Sequence, residues 1–118
     1  MTTQQVADRF NELAQQEKWF EIQDELFADN VRSVEPPDSP YFSYAEGKQN
    51  VRKKADEFVS RIEGVHKMYT SAPLVCGNHF TVAREKDITV KPHGRIQIRE
   101  LMVYEVENGK ITLEQFFY

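Results

Sequence analysis

The chain has 118 residues, 40% of them hydrophobic and 29% charged, with a net charge of −4. That length makes one domain around one core, and a mildly acidic chain without a basic stripe is a poor match for nucleic acid. No apolar run reaches membrane-spanning length, Met-Thr-Thr-Gln-Gln lacks the regions of a signal peptide, and a single Cys76 excludes an intrachain disulfide or a cysteine-rich metal site.

These features lead us to expect a cytoplasmic protein that spans no membrane and holds no metal or cofactor. Thr2-Thr3-Gln4-Gln5 has the form of a capping box, with Thr2 as N-cap and Gln5 returning the bond. Val6, Phe10, Leu13 and Ala14 then share one helical face. Polar Gln15-Gln16-Glu17-Lys18 marks a joint, after which Trp19, Ile22, Leu26 and Phe27 form a second short helix that Asp29-Asn30 ends. Val31 to Glu35 reads as a strand stopped by Pro36-Pro37, because proline lacks the N–H that a ladder needs. The loop Asp38 to Glu46 carries Tyr41, Phe42 and Tyr44, which is too aromatic for a solvated connector and predicts a segment lying over something apolar.

Gly47 opens a third helix, with Val51, Ala55, Phe58, Val59 and Ile62 inward, and Gly64 is expected to stop it. From Val65 the chain is strand: Val65 to Ser71, Asn78 to Val90, Gly94 to Val106 and Ile111 to Tyr118. The fold class is therefore α+β, three helices of the N-terminal half laid on one face of a curved antiparallel sheet, in a single domain over residues 1–118.

A three-residue Pro92-His93-Gly94 turn would pair Lys91 with Arg95, Ile88 with Ile98 and Val82 with Tyr104. Phe80, Val82, Ile88, Val90, Ile96, Ile98, Met102, Tyr104 and Val106 then share the inner face, interrupted by Arg84, Lys86 and Glu100, with Lys86 opposite Glu100. Leu101 and Val103 are apolar on the outer face, which suggests a homodimer through that side of the sheet. A three-residue Glu107-Asn108-Gly109 turn turns Glu114, Phe116 and Tyr118 inward. An Asn108-Gly109 turn alone would flip the whole strand.

Several stretches in this order carry a family resemblance: Leu26-Phe27-Ala28-Asp29-Asn30-Val31, then Val34-Glu35-Pro36, Gly47 opening a helix, and Gly109-Lys110-Ile111 leading to Gln115-Phe116-Phe117-Tyr118. Together they resemble the nuclear transport factor 2-like superfamily, in its SnoaL-like and ketosteroid-isomerase-like branch. The resemblance implies a cone, cystatin-like in fold, that encloses a pocket and is often dimeric. It also puts Glu35 on the position where ketosteroid isomerases carry a carboxylate base, usually Asp. Their oxyanion-hole tyrosine and aspartate fall near Asn11 and on Met102, so that pair of donors does not carry over.

The resulting expectation is a pocket for a small apolar or carbonyl-containing molecule, with Glu35 as a desolvated general base and Glu100 as a second acid. Trp19, Tyr44, Phe58, Phe80, Arg84, Met102, Tyr104, Glu114, Phe116 and Tyr118 would contact the ligand. Tyr104 or Tyr118 could donate to a developing oxyanion; Arg84 could bind an anionic group or pair with a carboxylate. Against these stand plainer roles. Lys86 and Glu100 could be a cross-strand ion pair, Phe58, Phe80 and Phe116 could be core, and His66, His79 and His93 are too dispersed for a metal site. Isomerase, cyclase or hydrolase is one reading; a ligand-binding protein without turnover and a dimeric interaction module are the others.

Overall fold

The computed structural model describes residues 1–118. Helix α1 (Thr3–Ala14) begins at the capping box read from the sequence: the Gln5 N–H donates to Thr2 Oγ1 at 3.1 Å and the Thr2 N–H to Gln5 Oε1 at 2.9 Å. Helix α2 (Trp19–Leu26) follows the polar joint, and β1 (Phe27–Val34) starts at once, so Phe27 opens a strand instead of closing a helix. A two-residue strand β2 (Ala45–Glu46) leads into α3 (Lys48–Ser60). The meander is β3 (Ile62–Thr70), β4 (Leu74–Cys76), β5 (His79–Val90), β6 (Gly94–Glu107) and β7 (Lys110–Phe117). Gly64 therefore lies inside β3, beside a register shift, and does not end the helix. No helix is long and apolar enough to cross a membrane.

All seven strands form one curved, open sheet ordered β2-β1-β7-β6-β5-β3, with β4 also paired to β5. Its ladders are antiparallel except β1 on β7, which is parallel, so the sheet is mixed. With three helices on one face the architecture is α+β, as the periodicities predict.

Two register details differ from expectation. Val90 pairs with Gly94, Ile88 with Ile96 and Val82 with Met102, so the turn is Lys91-Pro92-His93 and the ladder sits two residues from the expected alignment. A slip of two preserves the side-chain parity of a strand, and every inner residue stays inside. At the next hairpin Glu107 pairs with Lys110, leaving a two-residue turn in which Asn108 (φ 51°) and Gly109 (φ 75°) both take positive φ. That turn alone would have flipped β7. A bulge intervenes, because Val106 faces Ile111 while Glu105 faces Leu113, leaving Thr112 unpaired. The extra residue restores the parity and turns Glu114 and Phe116 back inward.

The core lies at one end of a 40 × 26 × 23 Å molecule. Val6, Ala7, Phe10, Leu13 and Ala14 of α1 are all buried against the sheet. Phe10 meets Tyr104 at 4.8 Å, Phe80 at 5.1 Å and Trp19 at 5.6 Å between ring centroids. Farther along the same strands a second, small cluster is buried, Ile88 and Val90 of β5 with Phe58 of α3. Between the two clusters the interior is hollow.

Candidate functional site

The hollow is a cavity of about 400 Å³ between α2, α3 and the inner face of the sheet. Its position follows from the order of side chains on β5 and β6. Reading inward-facing partners along the two strands gives Phe80 beside Tyr104, Val82 beside Met102, and then Arg84 beside Glu100. The first two rungs can be covered by an apolar helix. The third cannot, because buried charges need partners held at bonding distance.

Of the residues expected to contact a ligand, Trp19, Phe58, Arg84, Met102, Tyr104, Glu114 and Phe116 line this cavity, as do Glu35 and Glu100. Three others do not. Tyr44 is 53% exposed, with its hydroxyl 3.3 Å from Glu46 Oε2, because β2 turns its neighbour Ala45 toward the core. Phe80 is buried behind the wall, stacked on Tyr104 at 5.0 Å. Tyr118 lies at the rim, where its hydroxyl donates to Glu35 Oε1 at 2.8 Å and bonds Ser39 Oγ.

Glu35 is buried, its side chain only 4% exposed, but it is not a lone desolvated carboxyl. Lys54 Nζ lies 2.9 Å from its Oε2, so Lys54 and Tyr118 occupy both carboxylate oxygens. The Lys54 ammonium spends its three protons on Glu35, on Ser33 Oγ at 2.6 Å and on the Ser43 carbonyl at 3.2 Å. Ser33 in turn donates to Glu114 Oε1 at 2.7 Å. A continuous chain of polar contacts thus runs from Tyr118 at the rim through Glu35, Lys54 and Ser33 to Glu114 in the interior.

Glu114 is the carboxyl whose proton affinity the fold raises. Burial pushes it up from the ordinary 4.5 to about 7, against the Ser33 hydrogen bond and the Lys54 charge, with Glu35 and Glu100 adding to the rise. Tyr104, on the neighbouring strand directly opposite Glu114, is held well above the usual phenol range by burial and then by the Glu114 and Glu100 carboxylates. Tyr118 is raised as well, chiefly by burial. Both phenols therefore stay protonated donors. The Tyr104 hydroxyl has no hydrogen-bond partner in the chain, yet no buried polar side-chain atom is left unsatisfied; this hydroxyl therefore opens to the cavity.

The second charged group is Lys86 Nζ, 3.5 Å from Glu100 Oε1, a diagonal pair since Lys86 faces Ile98 across the ladder. Phe42, from the aromatic loop, lies 4.5 Å from Phe58 and between the two ammoniums, Lys86 at 5.4 Å and Lys54 at 6.0 Å. The sequence reading passed over Lys54. Its signal was present: three residues after Val51 and four before Phe58, it lies on the apolar face of α3. A lysine there needs a buried counter-ion, and Glu35 is that ion.

A chain from Mesorhizobium loti, provisionally named a SnoaL-like polyketide cyclase, superposes with a TM-score of 0.92 at 33% identity, covering 100% of both chains. A nuclear transport factor 2-like protein from Burkholderia thailandensis matches at TM-score 0.81 and 14% identity over 99% of this chain and 90% of its own. A protein with a ketosteroid isomerase-like fold from Catenulispora acidiphila, solved with trimethylamine, matches at 0.64 and 19% over 82% and 72%. The last two show the fold alone. No curated protein matches the chain. The model of the SnoaL-like domain spans residues 1–118, and the chain belongs to that family.

Proposed function

We propose that the protein is an enzyme that moves a proton at a carbon beside a carbonyl group, on a small apolar molecule held in the cavity. The observation that carries this reading is the pairing on one wall of a buried carboxyl that titrates near 7, Glu114, with an unpartnered phenol donor on the adjacent strand, Tyr104. A general base works best with a pKa near the operating pH, and a fixed donor that meets charge only as it develops stabilises the transition state. Glu114 takes the proton, the C–H electron pair passes into the enolate, and the Tyr104 hydroxyl donates to the enolate oxygen. Return of the proton to another carbon completes an isomerisation; attack of the enolate on a second carbonyl closes a ring.

Glu35 has a different role in this reading from the general base expected of it. With both oxygens engaged, it holds Lys54 in place, and Lys54 fixes Ser33 against Glu114. Glu35 is a positioning residue and Glu114 the base. Exchange of the α-protons of 2-tetralone with D2O, followed by proton NMR, tests this. Glu114→Gln should slow exchange about 10²–10⁴-fold and Tyr104→Phe about 10²–10³-fold. The wild-type rate should climb as pH rises through about 7, as Glu114 loses its proton. Full exchange by Glu114→Gln would overturn the assignment.

The outer face of the sheet supports a second copy of the chain as partner. Leu101 (53% exposed) and Phe117 (50% exposed) are direct cross-strand neighbours there. Glu85 and Arg99, paired with each other at 3.5 Å, border this apolar patch, which a twofold contact would set against the same patch of the second copy. Leu101→Lys should shift the mass measured by light scattering from dimer to monomer; a wild-type monomer removes the proposal.

A further inference from the structure

Helix α1 ends in a Schellman motif. The Lys18 N–H donates to the Leu13 carbonyl and the Glu17 N–H to the Ala14 carbonyl, each at 3.0 Å, which places Glu17 at the left-handed position with φ 57°. Glycine is the usual residue there, and a non-glycine side chain is strained by contact with its own backbone. The other non-glycine residue at positive φ is Asn108, a type that tolerates it. A glutamate at this position calls for a reason beyond ending the helix.

Its side chain supplies one. Glu17 reaches across the mouth of the cavity to Arg84, Oε1 to Nη1 at 3.2 Å and Oε2 to Nη2 at 3.1 Å. Trp19 Nε1 also donates to Glu17 Oε2 at 2.7 Å. Arg84 itself is fixed from behind, by Thr70 Oγ1 at 2.9 Å and by the Trp19 ring, 4.3 Å from the guanidinium carbon. The two partners differ in freedom. Arg84's side chain is 6% exposed and locked to the sheet, whereas Glu17's is 41% exposed, at a chain reversal between two helices. A fork-shaped cation lines the cavity, and its carboxylate partner comes from the solvent side.

We propose that Arg84 is the anchor for a carboxylate on the cavity ligand, and that Glu17 is an internal stand-in which the ligand displaces. The substrate class is then an apolar carbonyl compound that ends in a carboxylate. Its anionic end sits at the mouth, and its reacting carbon lies deeper, toward Tyr104 and Glu114. Arg84 is two inner-face rungs from Tyr104 and on the other strand of the β5–β6 ladder, about 14 Å away at the usual strand rise and spacing, which a short-chain acid spans together with the two side chains. Lys86 does not serve, because its partner Glu100 is fully buried and cannot swing into solvent.

This inference deepens the reading of the cavity as a small-molecule site and rests on it. The probes are 4-cyclohexylbutyrate and its primary amide, equal in size and differing in charge. Trp19 is the chain's only tryptophan and lies on Arg84, so its fluorescence reports occupancy of this wall. Wild type should bind the acid several-fold more tightly than the amide. Removing the competing carboxylate in Glu17→Gln should tighten acid binding by about tenfold and leave the amide within a factor of two. Glu17→Gly, which suits the left-handed position, should do the same and guards against a misfolded Gln variant. Arg84→Met should erase the preference for the acid. Equal affinity for acid and amide in wild type, no tightening in either Glu17 variant, or a preference that survives Arg84→Met overturns the proposal. The titration reads binding without turnover. Lost preference with intact 2-tetralone exchange removes only the anion anchor, and intact preference without exchange removes only the proton transfer.

Discussion

One face of two paired strands builds both ends of the interior, and the ends are unlike. At Phe80 and Tyr104 the inner face is aromatic and α1 closes over it, with Phe10 fully buried among three rings. Four residues along β5, the same face carries Arg84 and then Lys86, opposed by Glu100. Apolar groups gain by collapsing on one another whatever their directions. Charged groups gain only from partners at fixed distances, and lose by burial without them. Arg84 is tied to Glu17, Lys86 to Glu100 and Lys54 to Glu35, and each tie directs a side chain along the wall instead of into the centre. The hollow is the space that these pairs leave.

Truncating one aromatic at each end sharpens that contrast most. Phe10→Ala removes a ring enclosed on every side, and the cavity left behind cannot collapse. A loss of about 4–5 kcal/mol in urea unfolding is expected. Phe58 already borders the hollow and touches Phe42 on one side. Phe58→Ala merely enlarges an existing space and should cost less, about 1–2 kcal/mol, since the ring forfeits fewer packed neighbours. Equal losses would mean that the two ends are packed alike, and that the cavity closes in solution.

The next effect is electrostatic. Lys54→Met keeps most of the side-chain volume while leaving Glu35 buried with the Tyr118 hydroxyl but no counter-ion, which should destabilise the fold by about 3–4 kcal/mol. Adding Glu35→Gln removes the stranded charge, so the double variant should recover most of that loss. A double variant no better than Lys54→Met alone would show that Lys54 acts through Ser33, or through its stem, and not through the ion pair.

How much of this was legible in the residues divides along the same line. The packed end could be read directly, because periodicity reports which side chains share a face. Val6, Phe10, Leu13 and Ala14 on α1 and the alternation along β5 and β6 all landed inside. The register slip at Lys91-Pro92-His93 did no harm, since a displacement of two keeps parity. Glu114 is a different case. The turn was expected to have three residues and has two, and the bulge at Thr112 offsets the missing one. Its inward direction was thus expected on a mistaken turn. The site itself was half legible. Glu35, Glu100, Arg84 and Glu114 were recognised as charged residues on inner positions, and Lys86 was matched with Glu100, but the partners of Glu35, Arg84 and Glu114 were not. Lys54 joins Glu35 across 19 positions and Glu17 joins Arg84 across 67, and no local pattern encodes contacts between elements so far apart in sequence.

The smallest of these effects bears most directly on the chemistry. The Glu114 carboxyl is held at about 7 in the fold, above its ordinary value of 4.5. A proton bound more tightly by the folded state stabilises it, so the contribution is complete below about pH 4.5, declines as pH rises through 7, and is gone above it. The two values differ by 2.5 units, on the order of 3 kcal/mol. Glu114→Gln retains an acceptor for the Ser33 hydroxyl and has no proton to lose. Near pH 5 the variant and wild type should unfold at similar urea concentrations. By pH 8, where the wild type must keep a charge in the interior, the variant should be the more stable by on the order of 3 kcal/mol. Stability curves that run parallel from pH 5 to 8 would mean that Glu114 titrates like an exposed carboxyl, and the wall beside Tyr104 would lose its base.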